Sequence, residues 1–125
     1  MGSQQETVVH SWVDCYFTQD LTAVMDLYAD DAAYHRDAWK PPFVGREAIR
    51  AEIAQQFGAT SDYRITISNL ISTDALVFIE GVDNFRYGGK DITMHWSSVW
   101  ELNPAGKITA QRDYADSAEF RGQIA

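Results

Sequence analysis

Asp83 is the residue of this chain whose position is most indicative of acid/base chemistry. It lies on a predicted strand, on the face that also carries Val77, Ile79 and Phe85. A carboxylate on an apolar face is costly unless it is paired or put to use. Asp113 lies on a later predicted strand. The two acids are therefore the best candidates for a catalytic pair.

A pair of neighbouring carboxylates can divide the work of acid and base. Each raises the cost of ionising the other, so one stays protonated while the other is ionised. Acid assistance at an epoxide or carbonyl oxygen, with proton removal elsewhere, needs that division. The alternative is that each forms a structural salt bridge. Alternation favours an inward Asp83 more clearly than an inward Asp113, whose strand face also carries Thr109 and Gln111.

Tyr34 and Arg36 share a short predicted strand and could support such a pair. Arg36 has a fixed fork of donors, so it would orient a carboxylate or stabilise an alkoxide rather than act as a base. Alternatively, it pairs with Asp37 at the surface. Tyr34 could donate a hydrogen bond to a developing oxyanion or to water. Alternatively, it is a buried tyrosine whose hydroxyl is satisfied by a neighbour.

The chain is rich in aromatic residues, with four Trp, six Tyr and six Phe. Such side chains often wall pockets that hold cyclic organic ligands, although most of them simply fill a core. The candidates for a substrate-binding wall are Trp12, Tyr16, Phe85, Met94 and Trp96. We expect some of these to line a cavity that takes a hydrophobic small molecule.

Net charge and hydropathy exclude several classes of partner. A net charge of −8 argues against nucleic acid or an anionic membrane surface. No apolar run approaches the length of a membrane span, so a cytoplasmic protein is the default expectation.

No cofactor or metal is expected from the motifs. Gly88-Gly89 joins two predicted strands and leads into no helix, so a phosphate-binding loop is absent and no nucleotide is implied. Cys15 is a lone cysteine in a helical pattern, which favours a small buried hydrophobe. The three histidines lie at no ligand spacing, so no metal site is predicted.

Hydrophobic periodicity predicts helices first and a sheet afterwards. Helical patterns cover about residues 6–18, 21–31 and 46–57, with Gly58 as the stop of the third. A short strand is expected to begin near Ala32, and Pro41-Pro42 forces a loop after it. Alternation then predicts antiparallel strands near 63–68, 75–87, 92–102 and 107–116. This is an α+β plan in one domain, residues 1–125, with helices packed on one sheet face.

Three stretches together resemble a known superfamily: residues 27–32, residues 45–49, and residues 106–109 leading to Arg112-Asp113-Tyr114. They are similar to the cone-shaped fold shared by ketosteroid isomerase, the SnoaL-like polyketide cyclases and limonene-1,2-epoxide hydrolase. The resemblance covers nearly the whole chain. It implies a curved sheet wrapped around N-terminal helices to form a cone with an internal pocket. It also implies a homodimer, for which the sheet face with His95, Ser97 and Val99 is suited.

The epoxide-hydrolase branch is the one that the site residues resemble. That family uses an Asp-Arg-Asp set, with a Tyr and an Asn that help to hold the attacking water. Asp83 and Asp113 match the two acids, and Tyr34 matches the Tyr. The position of the family's Arg is Gly81 here, and the position of its Asn is Arg36. A guanidinium would thus have moved from one wall of the pocket to another.

The resemblance implies a cofactor-independent acid/base enzyme for a hydrophobic cyclic substrate, such as a terpenoid or polyketide of secondary metabolism. Its reaction would be epoxide opening, cyclisation or rearrangement, with water or an internal group as nucleophile. The two departures favour cyclisation or rearrangement over plain hydrolysis. The alternative is a non-catalytic ligand-binding or association module on the same fold. That reading predicts both aspartates in salt bridges and a cone filled by side chains.

Overall fold

The computed structural model describes residues 3–125, so the first two residues of the expected domain lie outside it. The elements in chain order are α1 (Gln4–Thr18), α2 (Leu21–Met25), β1 (Tyr28–His35), β2 (Phe43–Val44), α3 (Arg46–Ala59), β3 (Ser61–Ser72), β4 (Leu76–Tyr87), β5 (Lys90–Leu102), β6 (Ile108–Ala115) and α4 (Ser117–Ile124). The strands form one sheet in the order β2-β1-β6-β5-β4-β3. The predicted α+β class is confirmed.

The sheet is curved and unclosed, and its concave face wraps around the helices. Strands β3 to β6 each pair antiparallel with the next, whereas β1 runs parallel to β6. The register shifts between Ile67 and Asn69 on β3, and irregularities of this kind bend a strand. The predicted turn at Gly88-Gly89 is present, with positive φ angles of 57° and 78°. The long strands and their bend give the sheet room to enclose a pocket.

The first helix follows its predicted pattern closely. The Ser3 side chain caps α1 by accepting a hydrogen bond from the backbone N–H of Glu6 at 3.0 Å. Trp12 and Tyr16 lie on its buried face. Phe17, which shares the apolar pattern, is instead 57% exposed at the end of the helix.

The second helix is much shorter than predicted. The pattern of residues 21–31 was expected to be helical, but α2 ends at Met25 and Tyr28 already belongs to β1. Tyr28 pairs with Ile108 of β6, and the Ile108 N–H donates to the Leu27 carbonyl at 2.8 Å. Pairing with a distant strand therefore overrides the local helical preference here.

The third helix begins at Arg46 as predicted but runs past its expected stop. Gly58 is exposed inside the last turn of α3, and the helix ends at Ala59. The Thr60 hydroxyl donates to the Gln56 carbonyl at 2.8 Å and closes that turn. Ile49, Ile53 and Phe57 are buried, as the pattern predicted.

A C-terminal helix, α4, was not predicted from the sequence. Asp116 caps it by accepting a hydrogen bond from the Ala118 N–H at 2.9 Å. Its large apolar residues are only Phe120 and Ile124, a pattern too short to predict a helix, and none of its residues is buried.

The core lies between the concave sheet face and the helices. Val77, Trp100 and Ile53 are completely buried, and Cys15 is a buried free cysteine as expected. On β5 the predicted inward face is the more buried one, since Ser98 and Trp100 are covered while His95 and Ser97 are exposed. Within residues 3–125, no helix is both long and apolar enough to cross a bilayer.

Candidate active site

A cavity of about 370 Å³ lies between the concave sheet face and helices α1, α3 and α4. Every side chain predicted for the site lines it: Trp12, Tyr16, Tyr34, Arg36, Asp83, Phe85, Met94, Trp96 and Asp113. The cone is therefore hollow rather than filled, and the two acids face the same space. One wall is mainly aromatic, from α1 and strands β3 to β5. The opposite wall, from β1 and α3, is polar.

Asp83 projects from β4 into the cavity and accepts two hydrogen bonds from neutral donors. The Tyr63 hydroxyl donates to its Oδ2, and the Trp96 indole N–H donates to its Oδ1 at 2.6 Å. Burial raises the pKa of Asp83 to about 7, although the hydrogen bonds from Tyr63 and Trp96 oppose that rise. Asp83 thus holds a proton near neutral pH far more readily than a free carboxyl group.

Asp113 projects from β6 and is held by a different set of donors. Its Oδ1 accepts from the Ser98 hydroxyl at 2.7 Å and from the Gln111 amide at 3.2 Å. Burial raises its pKa to about 6, and hydrogen bonds from Ser98, Gln111 and Tyr34 oppose the rise. The sequence pattern favours an inward Asp113 less than an inward Asp83 because its strand face also carries Gln111, yet Gln111 is completely buried. The polar residue at position 111 of the strand pattern therefore indicates a buried polar site.

Two further hydrogen bonds act on these donors. The Tyr28 hydroxyl donates to Gln111 Oε1 at 2.5 Å, so the Gln111 NH₂ group is turned toward Asp113. The Trp100 indole donates to Ser98 Oγ at 2.9 Å, and the Ser98 hydroxyl lies within donating distance of both Asp113 Oδ1, at 2.7 Å, and the Arg112 carbonyl, at 3.0 Å. The contact with Asp113 is the shorter one, so both donors favour the ionised form of that carboxylate.

Tyr34 is buried on β1 and belongs to the polar wall. Its hydroxyl oxygen accepts a hydrogen bond from Gln56 Nε2 at 3.2 Å, while Tyr16 donates to Gln56 Oε1 at 2.9 Å. Since the Tyr34 oxygen is already an acceptor, its own proton is available for Asp113, whose pKa it lowers. Burial raises the pKa of Tyr34 well above its usual value, so the hydroxyl stays a neutral donor.

Arg36 lies at the edge of the cavity, just after β1. Its Nη1 is 3.0 Å from Oε1 of Glu52, a carboxylate only 6% exposed on α3. The surface pair with Asp37 that the sequence allowed is taken by Lys40 instead, at 3.5 Å. Glu52 also accepts from Gln56 at 3.3 Å, so a polar chain runs from Arg36 to Tyr34.

Several side chains that line the cavity or bond the two acids were not predicted from the sequence. They are Glu52, Gln56, Tyr63, Ser98, Gln111 and Phe120. A signal existed for two of them, because Glu52 and Gln56 fall at i+3 and i+7 from Ile49 on the buried stripe of α3. Polar residues on such a stripe are candidates for a buried site.

The ion pairs do not match the non-catalytic reading. Within residues 3–125, neither Asp83 nor Asp113 takes part in a salt bridge with a basic side chain. Both accept hydrogen bonds from neutral groups. In the same part of the chain, no three His, Cys, Asp or Glu side chains are grouped as a metal ion would need.

The cone-shaped fold and the two acids that face its cavity are together typical of one family of protein domains. The sequence profile of the SnoaL-like domain matches residues 9–111. The chain therefore belongs to the SnoaL-like domain family.

Solved structures place the chain in the same cone fold. It is 20% identical to an LEH-like epoxide hydrolase of M. tuberculosis, covering 97% of this chain and 90% of that one with a TM-score of 0.82. It is 16% identical to SalBIII, an epoxide hydrolase/cyclase-like enzyme with a role in pyran ring formation in the polyether salinomycin, over 93% of each chain with a TM-score of 0.83.

A protein with a ketosteroid isomerase-like fold from Catenulispora acidiphila, in complex with trimethylamine, is 22% identical. The match covers 93% of this chain and 90% of that one, with a TM-score of 0.82. At these identities the likeness establishes the fold, and the reaction has to be argued from the site.

Proposed function

We propose that this protein is a cofactor-independent acid/base enzyme that opens, cyclises or rearranges a hydrophobic cyclic substrate, with an epoxide as the favoured reacting group. One observation carries the proposal: Asp83 and Asp113 face one aromatic-lined cavity, and each is held by neutral donors instead of a salt bridge. Burial raises the pKa of both carboxyl groups toward neutral pH, where a protonated acid and an ionised base can coexist in one cavity.

The donor sets support a division of the two roles. Asp113 accepts from more donors than Asp83 does, which favours its ionised form and the role of base. Asp83, whose pKa burial raises to about 7, takes the role of the protonated acid. As the epoxide C–O bond breaks, its oxygen takes the proton of Asp83. The attacking hydroxyl, from water or from the substrate itself, forms the new C–O bond and gives its proton to Asp113. A proton returning from Asp113 to Asp83 restores the resting pair.

Tyr34 and Arg36 orient this pair. Tyr34 donates toward Asp113 and so helps to fix the face of that carboxylate that receives the proton. Arg36 is neutralised by Glu52, which makes it a poor stabiliser of an alkoxide. Its role is to hold Glu52 and, through Gln56, the Tyr34 hydroxyl.

The test is substitution of each acid with turnover measured on a panel of cyclic epoxides. Asp83→Asn and Asp113→Asn should each lower kcat/KM by about 10²-fold or more, the usual contribution of acid or base catalysis. Glu80→Gln is a matched control, because Glu80 is an exposed carboxylate on β4 that bonds Asn69. Unchanged turnover in both Asp variants would end the catalytic proposal.

We also propose that the protein forms a homodimer through the outer face of its sheet. Phe78 and Tyr114 are 45% and 47% exposed on β4 and β6, and Val99 lies opposite Phe78 in the register. Exposed apolar side chains on one face of a sheet are typical of a protein contact. Light scattering should give twice the monomer mass, and Phe78→Glu should return the monomer. A wild-type monomer at tens of micromolar concentration would refute the dimer.

A further inference from the structure

Helix α4 covers an edge of β5 that no strand of residues 3–125 occupies. Strand β6 ends at Ala115, opposite Trp96, whereas β5 extends back to Lys90. The backbone groups on that stretch of β5 would therefore be left without strand partners. Side chains of α4 take the place of a strand.

Gln123 and Glu119 make the substitute ladder. Gln123 accepts from the Thr93 N–H at 2.8 Å and donates to the Thr93 carbonyl at 2.7 Å, as a strand residue would. Glu119 accepts from the His95 N–H at 2.7 Å and lies 2.6 Å from His95 Nδ1. Lys90 Nζ also donates to the Ile124 carbonyl at 3.1 Å, so polar contacts from both sides attach a helix that has no buried residue.

Phe120 lies between these two anchors and turns toward the cavity. Its ring centroid is 5.1 Å from that of Tyr87 and 6.4 Å from that of Phe85. Phe85 in turn stacks on Tyr63 at 4.9 Å, so Phe120 extends the aromatic wall. The position of this ring depends on how α4 is held against β5.

We propose that Phe120 contacts the substrate and helps determine which cyclic ligands the cavity accepts, and that Glu119 and Gln123 are positioning residues that hold its ring in place. The proposal rests on the proposed function for the identity of the ligand. It adds that ligand affinity is set by a helix that carries none of the reacting groups.

Amide hydrogen exchange tests the attachment of α4 without any ligand. Gln123→Ala removes both bonds to Thr93, so the Thr93 and His95 amides should exchange at least about tenfold faster, as expected when a local element opens more often. Arg121→Ala is the control, since Arg121 is exposed and bonds Ser117 within α4. Equal exchange in the Gln123 variant and the wild type would overturn the positioning role.

Binding of camphor, an unreactive cyclic terpenoid, tests the contact itself. Titration is followed by the NMR signal of the Trp96 indole N–H, which lies in the cavity wall. Phe120→Ala should raise the Kd about tenfold, which corresponds to losing about 1.4 kcal/mol of contact. Phe120→Tyr should keep the wild-type Kd, and Gln123→Ala should raise the Kd by a smaller factor than Phe120→Ala does. Camphor that fails to bind, or binds Phe120→Ala as tightly as the wild type, would overturn the proposal.

Kinetics on cyclohexene oxide separate this proposal from the catalytic one. Phe120→Ala should raise KM while kcat stays within about twofold, because the contact binds ground state and transition state alike. If the Asp83 and Asp113 variants keep full turnover while camphor binding still depends on Phe120, the catalytic proposal fails and the ligand contact stands. If kcat falls with Phe120 and KM does not, the ring is not a binding residue.

Discussion

Gly81 and Trp96 pack so closely that the Trp96 ring occupies the space that a side chain at position 81 would need. A Cβ atom at position 81 would lie 2.5 Å from Cζ2 of the Trp96 ring, well inside van der Waals contact. The ring placed there donates its N–H to Asp83 Oδ1 at 2.6 Å. Gly81 is the position at which the resemblance calls for an Arg. Asp83 therefore accepts a hydrogen bond from a neutral indole N–H on the side where an arginine cation would lower its pKa further.

We predict that Gly81→Ala displaces the indole ring and weakens its bond to Asp83. The pKa of Asp83 should rise above about 7, because one of the hydrogen bonds that lower it is lost. Stability should fall by about 1–3 kcal/mol, the usual cost of overpacking a close contact. Carboxyl ¹³C NMR titration and urea unfolding measure the two effects.

Gly58→Ala is the matched control for this substitution. A Cβ at Gly58 would meet no other atom of residues 3–125 within 4 Å, and Gly58 is exposed within α3. The free energy of unfolding should stay the same or rise by up to about 1 kcal/mol, since Ala is the better helix former. Equal losses in both variants would show that the contact with Trp96 is not the cause.

Trp96→Phe isolates the hydrogen bond from the packing. The Phe ring still fits above Gly81 but has no N–H, so the pKa of Asp83 should rise while the fold is kept. Trp100→Phe is the control and should leave the pKa of Asp83 unchanged. The Trp100 indole donates to Ser98, and Ser98 bonds Asp113 rather than Asp83. A pKa of Asp83 that stays the same or falls in Trp96→Phe would contradict the role given to the indole. The same carboxyl ¹³C NMR titration measures the pKa of Asp83 in both variants.

How far the sequence alone could reach differs between the two acids. Asp83 was predictable because it stands among apolar residues in a regular strand alternation, where an acid has to be explained. Asp113 was less so, because its neighbours Ser98 and Gln111 are polar partners from the sheet itself. The inward direction of a strand face is decided by what packs on it, and only the fold shows that Gln111 is completely buried.

Two elements were beyond a single-sequence interpretation for physical reasons. The segment after Met25 has a helical pattern, but its backbone finds a partner in β6, a strand more distant in the chain than periodicity can detect. Helix α4 is attached by Gln123 and Glu119 to a free strand edge. Because such polar anchors add nothing to hydrophobic periodicity, neither the helix nor the position of Phe120 in the cavity wall could be predicted.

We predict a bell-shaped dependence of kcat/KM on pH, with its maximum between about 6 and 7. The base must be ionised, so activity rises as pH increases through the pKa of Asp113, about 6. The acid must be protonated, so activity falls as pH increases through the pKa of Asp83, about 7. Steady-state rates from pH 4 to pH 9 define the two limbs.

Tyr34→Phe provides an internal check on the rising limb of that profile. Loss of the hydroxyl removes a hydrogen bond that lowers the pKa of Asp113, so this limb should move to higher pH. Tyr114→Phe, at an exposed hydroxyl on the outer sheet face, should leave it in place. A falling limb that moves while the rising limb stays would exchange the roles assigned to the two acids.

We predict that Asp83→Asn stabilises the protein at pH 8. The folded-state pKa of Asp83 is raised from 3.8 to about 7, so the folded chain binds its proton more tightly than the unfolded chain does. That contribution to stability is complete below pH 3.8 and is lost as pH rises to about 7. With about 1.4 kcal/mol for each pKa unit, removing the buried charge should recover about 1–4 kcal/mol at pH 8.

Urea unfolding of both proteins at pH 4 and pH 8 measures this effect. The wild type should lose stability between the two pH values more steeply than Asp83→Asn, while Asp113→Asn should remove a smaller part of the slope. A variant destabilised equally at both values would mean that the Asp83 carboxylate is not a burden to the folded state.

We predict that removing one partner of the Arg36–Glu52 ion pair costs more stability than removing both. Glu52 is buried, so Arg36→Ala leaves its charge without a basic partner, which should cost about 2–4 kcal/mol because Arg36 itself is half exposed. Glu52→Gln should cost less, since the amide can still meet Gln56 and needs no cation. Adding Glu52→Gln to Arg36→Ala should therefore recover stability relative to Arg36→Ala alone. Urea unfolding of the complete double-mutant cycle measures this, and a double variant less stable than either single one would show that the two side chains act independently.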